Sequence, residues 1–178
     1  MTDLEQILCH RHPMIFLDDV IEADHDQLVA RVRIRDGLPF FETDRGVPAW
    51  VGLEYMAQAI AALAGKRARD AGKPIPLGLI IGCRRYDCTT STFGPDHELQ
   101  ISVTELAAEE YGFGSFDCDI EDCCRDPAAN RDPGGPDRNI LPRARLSLVG
   151  GARPAAALPA ARPDRSSSPA RASGRHLT

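Results

Sequence analysis

Several signals are missing from these 178 residues, and each absence closes a class of function. No run of 18 apolar residues occurs, so no membrane-spanning helix is expected. The start, MTDLEQILCHRHP, has neither the basic residues nor the apolar core of a secretory signal, which makes a cytoplasmic location the expectation. No glycine-rich phosphate loop is present, so no nucleotide cofactor is expected. The cysteines Cys9, Cys83, Cys88, Cys118, Cys123 and Cys124 include no C-x-x-C pair, and their spacing does not suit a zinc site. They read as reduced thiols, with no metal and no disulfide framework expected.

Basic charge is also scarce. The chain carries −5 overall, and residues 150–178 hold five arginines against the single acid Asp164, a local +4. Residues 1–149 therefore carry −9, and an acidic body lacks the basic face that phosphate contacts need, so no nucleic-acid partner is expected. With 43% hydrophobic and 26% charged residues the composition is globular, and a domain of about 150 residues buries enough surface to fold without staples.

Periodicity supplies the elements. Residues 1–12 predict a short helix capped by Thr2 or Asp3. Residues 14–24 and 28–34 predict two strands around the turn HDQ; the second alternates Leu28, Ala30, Val32 and Ile34 against Arg31 and Arg33. A long helix is predicted from Pro48 to Ala71, with Asp44 as a cap, Lys66, Arg67 and Arg69 in its last turns and Gly72 as its stop. Further strands are predicted over 77–88, 97–106, 111–122 and 143–149. The Pro- and Gly-rich stretch 123–142 reads as a long loop. Residues 150–178, rich in Ala, Arg, Pro and Ser, read as a disordered tail outside a 1–149 domain.

The helix stretch GVPAWVGLEYMAQAIAALAG is apolar nearly all the way round, yet it carries Glu54 and Gln58 one turn apart. An apolar helix of this kind is expected to be buried. Burial disfavours an ionised carboxylate, the positive helix start favours it, and a carboxyl set between the two can act as acid or base. From the residues alone two roles stay open for Glu54: a working acid or base, or a structural partner of an arginine or of backbone. Gln58 reads as a hydrogen-bonding partner.

At this point the residues resemble a known family. LCHRHPMIFLDDVIEAD, then PFF, then PAWVGLEYMAQAIAALAG are similar to the β-hydroxyacyl-acyl-carrier-protein dehydratases of the hotdog fold. The resemblance rests on the Leu-x-His-Arg-x-Pro segment, the Phe-Phe loop and the helix motif Glu54-Tyr55-Met56-Ala57-Gln58, and it covers about residues 4–122. The helix stretch is closest to the branch found with aryl polyene pigment synthesis. The resemblance implies an α+β hotdog fold, a curled antiparallel sheet around one long central helix. It implies removal of water from a 3-hydroxyacyl thioester to give a trans-2-enoyl thioester, in aryl polyene or fatty-acid-like synthesis. It implies an acyl carrier protein bearing the substrate as one partner, and a dimer, homomeric or with another hotdog dehydratase.

By the same resemblance, Glu54 works on the hydroxyl, Gln58 orients it, and the N–H of Ala49, just after Pro48, holds the thioester oxygen. Trp50, Met56 and Ile60 are apolar enough to line an acyl tunnel or simply to pack. Arg84 and Arg85 are expected to meet the phosphate of a carrier arm or to lie on a solvated strand edge. The sequence departs from the fatty-acid members in one respect. Their Gly-His-Phe-Pro-Gly, whose His is the base, is absent from FFETDRGVPAW. His10 matches the family's His-Arg segment and His12 stands where it has an aromatic. Either is a candidate for the missing base, while His25, His97 and His176 fall in turns and the tail. Three readings stay open: a dehydratase, a catalytically degenerate subunit stabilising an active partner, or a hotdog thioesterase in which Glu54 activates water.

Overall fold

Alternation along β2 (Gln27–Arg33) decides which side of the sheet becomes core. Leu28, Ala30 and Val32 are buried and their neighbours are not. The structure, a computed structural model, describes residues 3–108, 113–123 and 148–153. β1 (Asp19–Ala23) turns into β2 through Asp24, whose N–H donates to Gln27 O at 2.9 Å. The other strands are β3 (Val47–Pro48), β4 (Leu77–Cys83), β5 (Thr92–Phe93), β6 (Glu98–Ala108), β7 (Phe113–Asp122) and β8 (Leu148–Arg153). Six of them form one sheet in the order β1-β2-β6-β7-β8-β4, every pair antiparallel. β3 and β5 pair separately.

Register carries the alternation across strands. Ala30, Ile101 and Ile120 form one inward row, and Leu28, Val103 and Cys118 the next. Against these rows lies α1 (Gly52–Asp70). Its buried residues Gly52, Tyr55, Met56, Ala59, Ala62 and Leu63 recur every three or four positions, which is one helical face. This is the curled antiparallel sheet around one long helix that the sequence implied.

The differences are local. The helix begins at Gly52, after a 3-10 turn over Ala49–Val51, and Asp44 does not cap it. The expected helix over 1–12 shrinks to a 3-10 turn, Leu4–Gln6, capped by Asp3 through the N–H of Glu5. The expected strand over 14–24 keeps only Asp19–Ala23, because the backbone of Met14 and Phe16 is bound by a helix side chain instead. The last described strand, Leu148–Arg153, overlaps the end of the expected 143–149, of which residues 143–147 lie outside the described residues. The expected loop, beyond Cys123, and residues 154–178 of the expected tail lie outside the described residues.

One glycine fixes how the N-terminal segment meets the helix. A Cβ on Gly65 would stand 1.7 Å from Ile7 O, and Ile7 is fully buried. Helix propensity favours Gly65→Ala by about 1 kcal/mol. The clash is with backbone, however, and overpacking of this kind costs up to about 3 kcal/mol. Gly65→Ala is therefore expected to lower the melting temperature by several degrees, since about 1 kcal/mol moves a domain of this size by roughly 2–4 °C. A thermal melt that rises would show that Ile7 moves aside freely.

Candidate active site

Gln58 is the fixed point. It is fully buried, and all of its polar groups are used. Its Oε1 accepts from the N–H of Phe16 at 2.9 Å. Its Nε2 donates to Met14 O at 2.9 Å and to Glu54 Oε1 at 2.8 Å. One amide thus ties the chain after Pro13 to the helix and sets the direction of the acid one turn earlier. Removing it would leave buried backbone groups unpaired, at about 1–3 kcal/mol each.

Glu54 is not buried as the apolar helix led one to expect. Its side chain is 41% exposed, because the buried stripe runs through residues 52, 55, 56 and 59 and passes beside it. It lies in the first turn of α1. His10 stands next to it, with Nε2 4.0 Å from Glu54 Oε1 and its side chain 31% exposed. Arg11 holds the His10 loop by donating from Nη1 to Leu8 O at 3.0 Å and to His10 O at 2.7 Å. His12 is exposed, and among the described residues the ion-pair partner of Glu54 is His10.

The start of the helix is built differently from the expectation. The N–H of Ala49 is spent on Ser91 O at 2.9 Å, an extension of the β3–β5 pairing, and so does not face a ligand. The carbonyl of Ala49 accepts from Tyr86 Oη. Burial, above all, pushes the Tyr86 phenol up, and nearby Cys88 and Cys83 push the same way, so it stays protonated and donates. The N–H of Trp50 comes next, while that of Val51 is taken up by the i→i+3 pattern of the turn that starts at Pro48. No side chain caps this 3-10 turn, and helix geometry leaves leading N–H groups without an intrahelical acceptor. Pro48 is half-buried in β3.

Trp50 is 60% exposed and sits one turn before Glu54. It meets Phe40 edge-on, with ring centroids 5.1 Å apart. Phe40 is itself 52% exposed and holds φ +65°, a conformation that disfavours a bulky residue. An exposed aromatic pair on a strained backbone beside a carboxylate marks a surface shaped for something other than water. Met56 is buried in the core and Ile60 lies at its edge. Arg84 and Arg85 are exposed on the segment after β4, and Arg85 pairs with Asp87. Tyr86 tethers that segment to the helix start.

Sequence reasoning passed over Phe40, Tyr86 and Ser91. Phe40 had a signal in the Phe-Phe pair, and Tyr86 one in the basic–aromatic run Arg84-Arg85-Tyr86, which is also part of the family resemblance. The partners of Tyr86 and Ser91 are distant in the chain.

Comparison with known proteins shows the family and the fold. The family described as ApeP-like, ApeP dehydratase, matches residues 2–131, a span that contains His10, Glu54 and Gln58. The chain belongs to that family. The dehydratase reading that the residues suggested agrees with that family's description. Among solved structures, the dehydratase heterocomplex ApeI:P from Xenorhabdus doucetiae is 24% identical, with a TM-score of 0.71 over 88% of this chain and 94% of that one. A hypothetical thioesterase with coenzyme A from Streptococcus pneumoniae TIGR4 is 7% identical, with a TM-score of 0.52 over 76% and 85%. A mutant thioesterase from Staphylococcus aureus subsp. aureus Mu50 is 13% identical, with a TM-score of 0.51 over 76% and 93%. These likenesses show the hotdog fold. No curated protein matches the sequence. Among the described residues, no helix is long and apolar enough to cross a membrane.

Proposed function

We propose that this ApeP-like chain removes water from a 3-hydroxyacyl thioester borne by an acyl carrier protein, with Glu54 and His10 as the proton-transferring pair. The observation that carries this reading is the line Gln58–Glu54–His10. A fully buried amide aims a half-exposed carboxylate at an imidazole across 4.0 Å. Loss of water from such a substrate needs a base for the α-proton and an acid for the leaving hydroxyl. Glu54 in its acid form gives its proton to the hydroxyl as the C–O bond breaks. His10 takes the α-proton through Nε2. The N–H of Trp50 stands in for the spent N–H of Ala49 as a donor to the thioester oxygen, where charge builds. Trp50 and Phe40 flank the acyl chain, and Arg84 or Arg85 meets the phosphate of the carrier arm.

The second reading, a subunit that serves an active partner, is favoured by one feature. β4 is the edge of the sheet and presents Leu79, Ile80 and Ile81 at 68%, 43% and 60% exposure. An apolar edge strand of this kind calls for a cover. Another hotdog chain is the occupant proposed, in keeping with the heterocomplex neighbour.

His10→Ala separates the readings. If His10 is the base, dehydration by the complex falls by about 10²-fold or more, the usual size of one acid–base contribution. An unchanged rate would assign the base to the partner chain.

A further inference from the structure

Cys9 is an exposed thiol next to His10, with Sγ 3.7 Å from Nδ1. The opposite ring nitrogen, Nε2, lies 4.0 Å from Glu54 Oε1, and Gln58 holds that oxygen at 2.8 Å. Thiol, imidazole and carboxylate therefore stand in the order nucleophile, base and orienting acid, the arrangement that turns a weak nucleophile into a working one. The Arg11 guanidinium clamps the loop on both sides of Cys9 through Leu8 O and His10 O. Two of the other described thiols are placed differently. Cys118 is buried in the core, and Cys123 Sγ lies 4.0 Å from Gln100 Oε1, an acceptor that is no base.

We infer that Cys9 is a nucleophile toward acyl thioesters, taking an acyl group from a carrier thiol by exchange. His10 Nδ1 takes the thiol proton as Cys9 Sγ attacks the thioester carbonyl carbon. The bond from that carbon to the carrier sulfur breaks, and the same proton goes to the departing thiolate. One thioester is lost and one is formed, and nothing is oxidised or reduced. The inference takes its electrophile from the thioester reading above and everything else from the Cys9–His10–Glu54 geometry.

The test uses the full chain and two probes. Butyryl-N-acetylcysteamine is a thioester without a 3-hydroxyl, so it reports on exchange and cannot be dehydrated. Iodoacetamide reports on the thiol alone. Intact mass and peptide mapping are expected to place one butyryl group on Cys9, removable by neutral hydroxylamine and absent from Cys9→Ser. Cys9 is expected to be alkylated faster than the exposed Cys83. His10→Ala is expected to slow both reactions by about 10²-fold. The inference is overturned if Cys9 is alkylated no faster than Cys83, if His10→Ala leaves both rates unchanged, or if Cys9 is alkylated but never acylated. Dehydration of a 3-hydroxyacyl substrate by Cys9→Ser, followed in parallel, reports separately on the thioester reading.

Discussion

Glu54→Gln is expected to lower dehydration by about 10²- to 10⁴-fold, the range of general acid–base contributions. The replacement keeps the shape of the side chain and an oxygen to accept the Gln58 N–H, now at 2.8 Å from Glu54 Oε1. It removes only the capacity to give or take a proton. The fold is expected to survive, because the side chain is 41% exposed and a neutral amide there leaves no buried charge. Rates of the full complex with a 3-hydroxyacyl-carrier substrate, taken beside a thermal melt, check both halves. A large rate loss with an unchanged melt is the expected pair of results. An unchanged rate would make Glu54 an inherited residue in a supporting subunit.

The second large effect concerns the apolar edge. Leu79 and Ile81 lie on β4 and are 68% and 60% exposed. Burying each on association is worth about 1.5–3 kcal/mol. Charging both, as Leu79→Glu with Ile81→Glu, is therefore expected to weaken binding of a hotdog partner by about 10²- to 10⁴-fold, since about 1.4 kcal/mol is tenfold. The isolated fold loses little, because both side chains are already mostly exposed. Light scattering of the variant, alone and mixed with the partner, gives the answer. Association as tight as that of the unchanged chain would place the interface elsewhere.

The helix and the central strands were legible in the sequence because their causes are local. Alternation in Leu28, Ala30 and Val32 needs no knowledge of what lies opposite, and the apolar run around Met56 can only be a buried helix. The motif also marked Glu54 and Gln58 as a pair, and they meet at 2.8 Å. What the sequence hid is non-local. That the N–H of Ala49 is spent depends on Ser91, and that Glu54 has a histidine depends on a loop far behind it. His10 and His12 looked alike as candidates. Arg11 and the packing of Ile7 on Gly65 bring the first of them to the helix and leave the second exposed. Burial of Glu54 was misjudged for a related reason. An apolar surface all round a helix points to burial, but one sheet covers only one face. The half-covered Leu53, Ile60 and Ala61 are left at the rim of the core.

The measurement that bears most directly on the account is turnover of a 3-hydroxyacyl-carrier protein by the purified chain, with and without a hotdog partner, followed as enoyl thioester formed. The account predicts enoyl product that depends on this chain's own Glu54 and His10, so that altering either one in this subunit alone suppresses it. Full turnover by the partner with both residues altered here, or no product from any combination that contains the unaltered chain, would contradict it.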